Sequence, residues 1–361
     1  MLFFIAFFLA LTINLVILRY GKPWSKWIAD SVDGIQKVHH NPTPRIGGVS
    51  IYLALVVTCI SSFWAQQPQT QVALLCLSAL PLFILGITED LTKRIGVLMR
   101  LLSAFIAGVS AFYLIDAQIT RLDLAWLDPA LGIPMVSLCF TAFAIAGVAN
   151  AYNIIDGFNG LASMVAIIAL TAIGIVSLWV NDRVILHAAL WMIAAILGFF
   201  IWNYPKGLIF LGDGGAYLIG FWVAALSILL VARNASVSPW FALLVNAYPI
   251  IETLFSIWRR RIHHGISPGL PDAAHFHSLI YRRIIMWSKR GFGQTYEQNG
   301  HYLSNAKTSP YLWLLSSIGV VPALLWWHST SMLMLATVAF ILLYLYLYYR
   351  ITRKKKYFKL L

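Results

Sequence analysis

Acidic side chains that could hold a metal ion lie at the ends of long apolar runs in this chain of 361 residues. Only 13 residues are Asp or Glu, and Glu89, Asp90, Asp156 and Asp213 each adjoin such a run within a segment rich in polar residues or Gly. Clustered carboxylates are what hard divalent cations prefer, and Mg²⁺ suits reactions of phosphates. The pattern predicts a metal-assisted site if the fold joins these segments.

The strongest pattern is the segment Asn150–Leu161, with the sequence NAYNIIDGFNGL. Asn150, Asn153 and Asp156 recur every three residues, close to the helical period, so they line one face near a helix end. Polar groups at membrane depth are costly to leave unpaired, which favours a functional role over a structural one. We predict that the Asn amides contact a base or sugar and that Asp156 holds metal.

Glycine-rich turns accompany two further candidate segments. The sequence FLGDGGA at 210–216 places Asp213 in a turn that opens a helix, where backbone N–H groups can cradle phosphate. It is not a Walker loop, because no Gly-Lys-Ser/Thr follows. The sequence HHNPTPRIGG at 39–48 combines His39 and Arg45 with a Pro-rich turn whose glycines allow close backbone approach. A plain loop leading into a helix explains this second pattern almost equally well.

The long polar stretch near 259–309 supplies cationic and titratable groups. His275 and His277 form a His-x-His pair, followed by Arg282. Such a pair can bind metal or contact a pyrophosphate. Taken alone, this pair is a weak signal.

Three acidic residues leave alternatives open. Glu89 and Asp90 repel each other, so they either share a metal or a proton or simply end a helix beside Lys93. Glu252 lies within an apolar run, three residues after Pro249. An intramembrane carboxylate is a functional candidate, but this one equally suits an arginine partner or a helix kink, and we assign it no role.

The elements that must position these residues are membrane helices. The chain is 60% hydrophobic and 11% charged, against about 25% charged in soluble proteins. We predict an all-α, polytopic membrane bundle that forms a single domain over residues 1–361. Spans of roughly 20 residues are predicted near 1–18, 48–66, 71–88, 101–116, 133–152, 160–181, 184–202, 215–233, 239–258, 310–327 and 330–349.

The positive charges predict the orientation of these eleven helices. With the N-terminus periplasmic and the C-terminus cytoplasmic, 23 of the 26 Lys and Arg residues lie on the cytoplasmic side. This distribution explains the net charge of +13 through the anionic membrane surface, without nucleic acid. All site candidates except Glu252 then fall in or beside cytoplasmic loops near 37–48, 89–100, 150–160, 203–214 and 259–309.

These motifs, in this order, resemble the polyprenyl-phosphate N-acetylhexosamine-1-phosphate transferases, the family that includes the translocase starting peptidoglycan lipid synthesis. Asn150–Leu161 resembles the family's NAxNxxDGxDGL motif, and Phe210–Asp213 begins an FxGDxG motif. Glu89-Asp90 matches an Asp-Asp pair, and 275–277 matches a His-x-His loop. The first loop and the His-x-His loop are closer to the O-antigen and capsule initiating branch. Positions that depart from the motifs are Glu89, Lys93 and Asn159.

The resemblance implies transfer of a sugar 1-phosphate from a UDP-sugar to undecaprenyl phosphate with release of UMP, starting O-antigen or other surface polysaccharide synthesis. It implies Mg²⁺, replaceable by Mn²⁺, and a site on the cytoplasmic face of the bacterial inner membrane, and it is compatible with a homodimer. Asp90 would deprotonate the lipid phosphate or act as a nucleophile. The predicted catalytic residues are Glu89, Asp90, Asp156 and Asp213; the substrate-binding residues are Asn150, Asn153, His39, Arg45, His275, His277 and Arg282; the metal ligands are Asp156 and Asp213.

Two other classes of function stay open at this point. A transporter or flippase for lipid-linked sugars predicts charges along a path through the membrane, whereas here only Glu252 approaches that position. A membrane scaffold would not need Asn and Asp at helical spacing beside paired glycines. The identity of the UDP-sugar also stays open among N-acetylglucosamine, N-acetylgalactosamine and 6-deoxy derivatives.

Overall fold

The protein is a helical bundle, seen here in a computed structural model that describes residues 1–21, 29–30, 43–65, 69–263, 274–285 and 305–353. The helices are α1 (Leu2–Tyr20), α2 (Gly47–Trp64), α3 (Thr70–Thr92), α4 (Val97–Leu114), α5 (Asp128–Leu131), α6 (Pro134–Ile155), α7 (Leu161–Trp179), α8 (Arg183–Asn203), α9 (Gly212–Arg233), α10 (Pro239–Val245), α11 (Ala247–Trp258), α12 (Phe276–Ile280), α13 (Ser309–Leu325) and α14 (Thr330–Arg353). Short π-helical turns, Arg259–His263 and Tyr281–Ile285, extend α11 and α12. Two short strands, β1 (Ala29–Asp30) and β2 (Thr43–Pro44), pair antiparallel with Ala29 opposite Pro44.

The predicted all-α membrane architecture is confirmed. Over the described ranges, nine helices are long and apolar enough to cross a membrane, and α10 with α11 forms a tenth candidate bent by 73°. The remaining predicted span, 310–327, corresponds to α13, which is apolar but shorter. The bend follows from Asn246, which caps α10 by donating to the carbonyl of Ala242, and from Pro249, which fits only the first turn of a new helix.

Helix α9 is the centre of the bundle. Every residue from Gly212 to Leu230 is buried, which explains why this helix is apolar around its whole circumference. It packs against α2, α3, α6 and α7. Small residues allow the closest approaches, as at Gly220, where an added Cβ would lie 2.8 Å from the Cα of Ala149 on α6.

Four helix ends meet where α9 begins. The segment before α2 pairs with the segment before α9 through backbone hydrogen bonds, from Phe210 N to Pro44 O (2.8 Å), Gly47 N to Phe210 O (3.0 Å) and Gly48 N to Leu211 O (2.9 Å). The ends of α3 and α6 pack beside this ladder. The predicted motifs are therefore brought to the same end of the bundle.

Candidate active site

Two arginines pair with Asp213 in the first turn of α9. Nη2 of Arg45 lies 3.0 Å from Oδ1 of Asp213, and Nη1 of Arg100 contacts Oδ2. Arg45 also lies 3.6 Å from Oδ1 of Asp90. These guanidinium groups come from the loop before α2 and from the first turn of α4, so Asp213 joins three separate segments.

Asp90 joins the end of α3 to the start of α9. Its buried carboxylate accepts hydrogen bonds from the backbone N–H groups of Asp213 (2.8 Å) and Gly214 (2.9 Å). Those N–H groups have no partner within the helix, and a negative charge is favoured at its N-terminus. Asp90 thus orients the turn that carries Asp213. Its predicted role in proton transfer or nucleophilic attack stays a prediction.

The glycines of this region permit backbone contact within the protein. Gly212 has a positive φ of 77°, and a Cβ at this position would overlap the carbonyl oxygen of Arg45 and approach Oδ2 of Asp90. A Cβ at Gly48 would overlap the backbone of Gly215. Close backbone approach was predicted for the 39–48 motif, and its partner here is the FLGDGGA segment.

Asp156 follows the last residue of α6 and is partly exposed. Burial raises the pKa of its carboxyl well above the usual range, Arg45 opposes that rise, and the charges of Asp213 and Asp90 add to it. Within the described part of this cluster, three carboxylates therefore share the field of two arginines. A cation bound beside Asp156 would favour the ionised form of this carboxyl.

The predicted Asn residues lie near the end of α6. The side-chain oxygen of Asn150 accepts a hydrogen bond from the hydroxyl of Tyr217 (3.2 Å), one turn along α9 from Asp213. Asn153 is half-buried, and its carbonyl accepts the N–H of Asp156 (3.3 Å). The motif therefore places Asn150 beside α9 and Asn153 next to the turn that bears Asp156.

The His-x-His pair packs against the turn after α6. The rings of His275 and His277 are stacked with centroids 5.2 Å apart. His277 is buried, and its Nε2 would lie 3.1 Å from a Cβ added at Gly157. Its ring also meets Phe158 edge to face at 5.4 Å. The structure thus joins two motifs that are more than a hundred residues apart in sequence.

Three other predicted residues occupy different settings. Arg282 is exposed and donates from Nε to the carbonyl of Ser278 (3.3 Å), so it does not reach the Asp213 cluster here. Glu89 accepts the N–H of Ile95 (2.6 Å) and closes the turn after α3. His39 lies outside the described residues. The predicted catalytic role of Glu89 and substrate contacts of His39 and Arg282 stay predictions.

Arg100 is the residue of the cluster that the sequence patterns did not single out. Positive charge at this position was interpreted only as an orientation signal. The available clue was one Arg inside α4, a helix that is otherwise apolar or small in composition, because such a charge usually has a specific partner. That partner, Asp213, is 113 residues further along the chain.

The donor chemistry of the cluster fits Mg²⁺. Across the described ranges, no group of three His, Cys, Asp or Glu side chains is arranged to hold a metal by itself. Mg²⁺ commonly takes one or two carboxylates and completes its shell with water and substrate phosphates. Asp156 and Asp213 provide hard oxygen donors of that kind, although both oxygens of Asp213 face arginines here.

Fold and site together define a polytopic membrane protein with a polar, phosphate-compatible site at one end of its bundle. Residues 72–231 match the profile of glycosyl transferase family 4. This match supports the resemblance to the polyprenyl-phosphate N-acetylhexosamine-1-phosphate transferase family that the motifs indicate.

Three curated proteins are similar to this chain over about two thirds of its length. The "Probable undecaprenyl-phosphate N-acetylglucosaminyl 1-phosphate transferase" of Bacillus subtilis is 28% identical over 253 residues, covering 68% of this chain and 67% of the relative. The undecaprenyl-phosphate alpha-N-acetylglucosaminyl 1-phosphate transferase of Thermotoga maritima is 27% identical, covering 70% and 72%. The protein of the same name from Escherichia coli K12 is 29% identical, covering 68% and 67%.

Proposed function

We propose that the protein transfers an N-acetylhexosamine 1-phosphate from a UDP-sugar to undecaprenyl phosphate and releases UMP. The observation that carries this proposal is the cluster of Asp213, Asp90, Asp156, Arg45 and Arg100 at the N-terminus of α9. The names of the relatives support the lipid acceptor and the sugar-phosphate group.

The reaction joins two anions. An oxygen of the lipid phosphate attacks the phosphorus bound to the sugar, and the bond from that phosphorus to the bridging oxygen breaks, so UMP leaves with that oxygen. Positive groups arranged in advance lower the barrier to such a transfer. Arg45, Arg100 and the N-terminal end of α9 are the positive groups of this site. Asp213 holds both guanidinium groups at that end.

Magnesium is part of the proposal, with Mn²⁺ as a substitute. Asp156 and Asp213 would hold the ion, and it would neutralise phosphate charge during transfer. Isothermal titration of purified protein with MgCl₂, compared with the Asp156→Asn variant, tests this assignment. Weaker binding by the variant supports it, and equal binding by both proteins contradicts it.

The proposed location is the bacterial inner membrane, with the site at the cytoplasmic face. The asymmetry of Lys and Arg supports this orientation, and the cluster lies at the cation-rich end of the helices. A reporter that works only in the cytoplasm, fused after residue 361, should be active. Activity of a periplasm-specific reporter at the same position would reverse the orientation.

We propose UDP-N-acetylglucosamine as the first donor to test, because all three relatives carry this sugar in their names. The product would start O-antigen or another surface polysaccharide. UMP release is measured with undecaprenyl phosphate, Mg²⁺ and a panel of UDP-N-acetyl sugars. Release that needs both lipid and donor supports the function, and a folded protein inert toward every donor contradicts it. Movement of lipid-linked sugar across proteoliposomes without UMP release would instead support a transporter.

A further inference from the structure

Another buried carboxylate lies away from the Asp213 cluster, in the bent span formed by α10 and α11. Glu252 on α11 is only 1% exposed. Its Oε1 meets Nδ1 of His275 (2.9 Å) and accepts the N–H of Phe276 (3.1 Å), while Oε2 accepts the hydroxyl of Tyr344 (2.8 Å). Three converging donors favour an ionised carboxylate.

These hydrogen bonds select one tautomer of the His275 ring. An ionised carboxylate can only accept hydrogen bonds, so Nδ1 of His275 carries a proton. In the neutral ring, Nε2 then bears the lone pair. The hydrogen bond at one ring nitrogen thereby sets the chemistry of the other.

Helix α14 contacts both Glu252 and the segment that carries His275. Tyr344 of α14 bonds to Glu252, and Tyr348, one turn later, donates to the carbonyl of Ala274 (3.1 Å). Arg283 donates to the carbonyls of Ile351 (2.5 Å) and Thr352 (2.6 Å) near the end of α14. Helix α12 is only five residues long, so its position depends on these contacts with α11 and α14.

The supported segment also packs against the candidate active site. The His275 ring is stacked on that of His277, and His277 lies against Gly157, the residue after Asp156. A displacement of the His275 ring would therefore displace His277, and through it the turn that carries Asp156. Glu252, His275 and Tyr344 all lie outside the family match at 72–231.

We propose that Glu252 is a positioning residue, supported by Tyr344, which holds His275 as its Nδ1–H form and places the His275–His277 segment against the Asp156–Gly157 turn. This inference rests on the proposed transferase function. It assigns a role to an intramembrane carboxylate that the proposed chemistry does not use. It also explains why a carboxylate is retained in an apolar span despite its cost.

The test is a double-mutant cycle between Glu252→Gln and His275→Ala, measured as UMP release at high enzyme concentration. Glu252→Gln should lower kcat about 10- to 100-fold, as loss of an orienting carboxylate does at other sites, with a smaller change in KM for the UDP-sugar. In the His275→Ala background the same substitution should have little further effect, because its action passes through that ring. Tyr344→Phe should lower kcat about fivefold, the size expected for one hydrogen bond.

Tyr346→Phe is the matched control, because this tyrosine lies on the same helix but is 56% exposed; it should behave as wild type. If Glu252→Gln does not yield folded protein, the cycle of Tyr344→Phe with His275→Ala replaces it. Wild-type kcat in Glu252→Gln, or an equal loss in both backgrounds, overturns the inference while leaving the transferase function standing. A wild-type protein that releases no UMP overturns the proposed function and this inference with it.

Discussion

Each end of α9 lies beside a buried aspartate that pairs with arginine, but the two ends differ in how the charges are matched. Asp213 and Arg233 are twenty residues apart on this helix, or about 30 Å at 1.5 Å per residue. At the Arg233 end, Nε of Arg233 pairs with Asp182 (2.6 Å), whose other oxygen caps α8 at the N–H of Ile185 (3.2 Å). Nearby, Arg121 pairs with Asp123 (2.7 Å), which also accepts the hydroxyl of Thr330 (2.5 Å).

At the Asp213 end the charges are shared and unequal. Arg45 and Arg100 both pair with Asp213, and Arg45 also lies near Asp90. In the described part of the chain, neither arginine lies within ion-pair distance of Asp156. The matched pairs at the Arg233 end are typical of structural ion pairs that join one helix to its neighbours. The unmatched cluster at the Asp213 end is what a site for phosphate and metal requires.

The largest effect is expected from Asp213→Asn. The loss of a charge that holds two arginines in place should lower UMP release about 100- to 1,000-fold, as for other groups that stabilise transition-state charge. The variant should stay folded, because the Asn amide keeps an oxygen acceptor. The measurement is the initial rate beside size-exclusion chromatography. Asp182→Asn, at the other end of α9, is the matched control for activity. Wild-type turnover in Asp213→Asn would mean that the two ends of α9 do not differ in function.

Arg100→Gln and Arg45→Gln should each lower UMP release about 10- to 100-fold, the range for a charge-assisted hydrogen bond worth 1.5–3 kcal/mol. Because both side chains bind Asp213, the double variant should lose less than the product of the single losses. Rates of the three variants measured side by side check this. Fully multiplicative losses would mean that the arginines act independently of Asp213.

The sequence predicted the membrane helices and most of the candidate site residues. The contacts between those residues depend on pairing of segments that are distant in sequence. Hydropathy located the membrane helices, because each one satisfies its own backbone and must be apolar over a fixed length. The NAYNIIDGFNGL segment predicted the helix that ends just before Asp156. Periodicity says nothing of side chains that meet from distant segments, so the contacts of Arg100 with Asp213 and of Glu252 with His275 and Tyr344 emerge only in the folded chain.

The two glycine-rich segments, FLGDGGA and 39–48, also have partners that the sequence did not predict. For FLGDGGA the expected partner of the glycine-rich turn was a phosphate, whereas the backbone carbonyl of Arg45 occupies the space beside Gly212. The loop 39–48 was interpreted almost evenly as a site or a plain connection. The described part of this loop, residues 43–48, pairs with Phe210 and Leu211 and so belongs to the framework of the cluster.

Gly212→Ala should reduce stability, because positive φ strains a non-glycine residue by about 1–3 kcal/mol and the new Cβ overlaps Arg45. The control is Gly147→Ala on α6, where an added Cβ meets nothing within 4 Å. That control should be neutral or stabilising, since Ala favours helices. Thermal unfolding in detergent compares the two. Equal melting temperatures would show that the junction of α9 with the first loop tolerates movement.

The smallest effect is expected from Asp182→Asn, which should lower the free energy of unfolding by about 1–3 kcal/mol through its buried hydrogen bonds. The rate of UMP release per folded molecule should stay at the wild-type value. Thermal unfolding and initial rates on the same sample separate the two properties. A loss of activity without a loss of stability would assign chemistry to the Arg233 end as well.

The most direct test follows the phosphorus atom attached to the sugar, which the proposed reaction transfers to the lipid. UDP-N-acetylglucosamine labelled with ³²P at the phosphate attached to the sugar is incubated with undecaprenyl phosphate, Mg²⁺ and purified protein, and the organic phase is counted. Transfer of the sugar 1-phosphate puts label in the lipid phase and unlabelled UMP in the aqueous phase, and Asp213→Asn should lose both. Label that stays in the aqueous phase as UDP, while the sugar moves to the lipid, would contradict the proposed transfer.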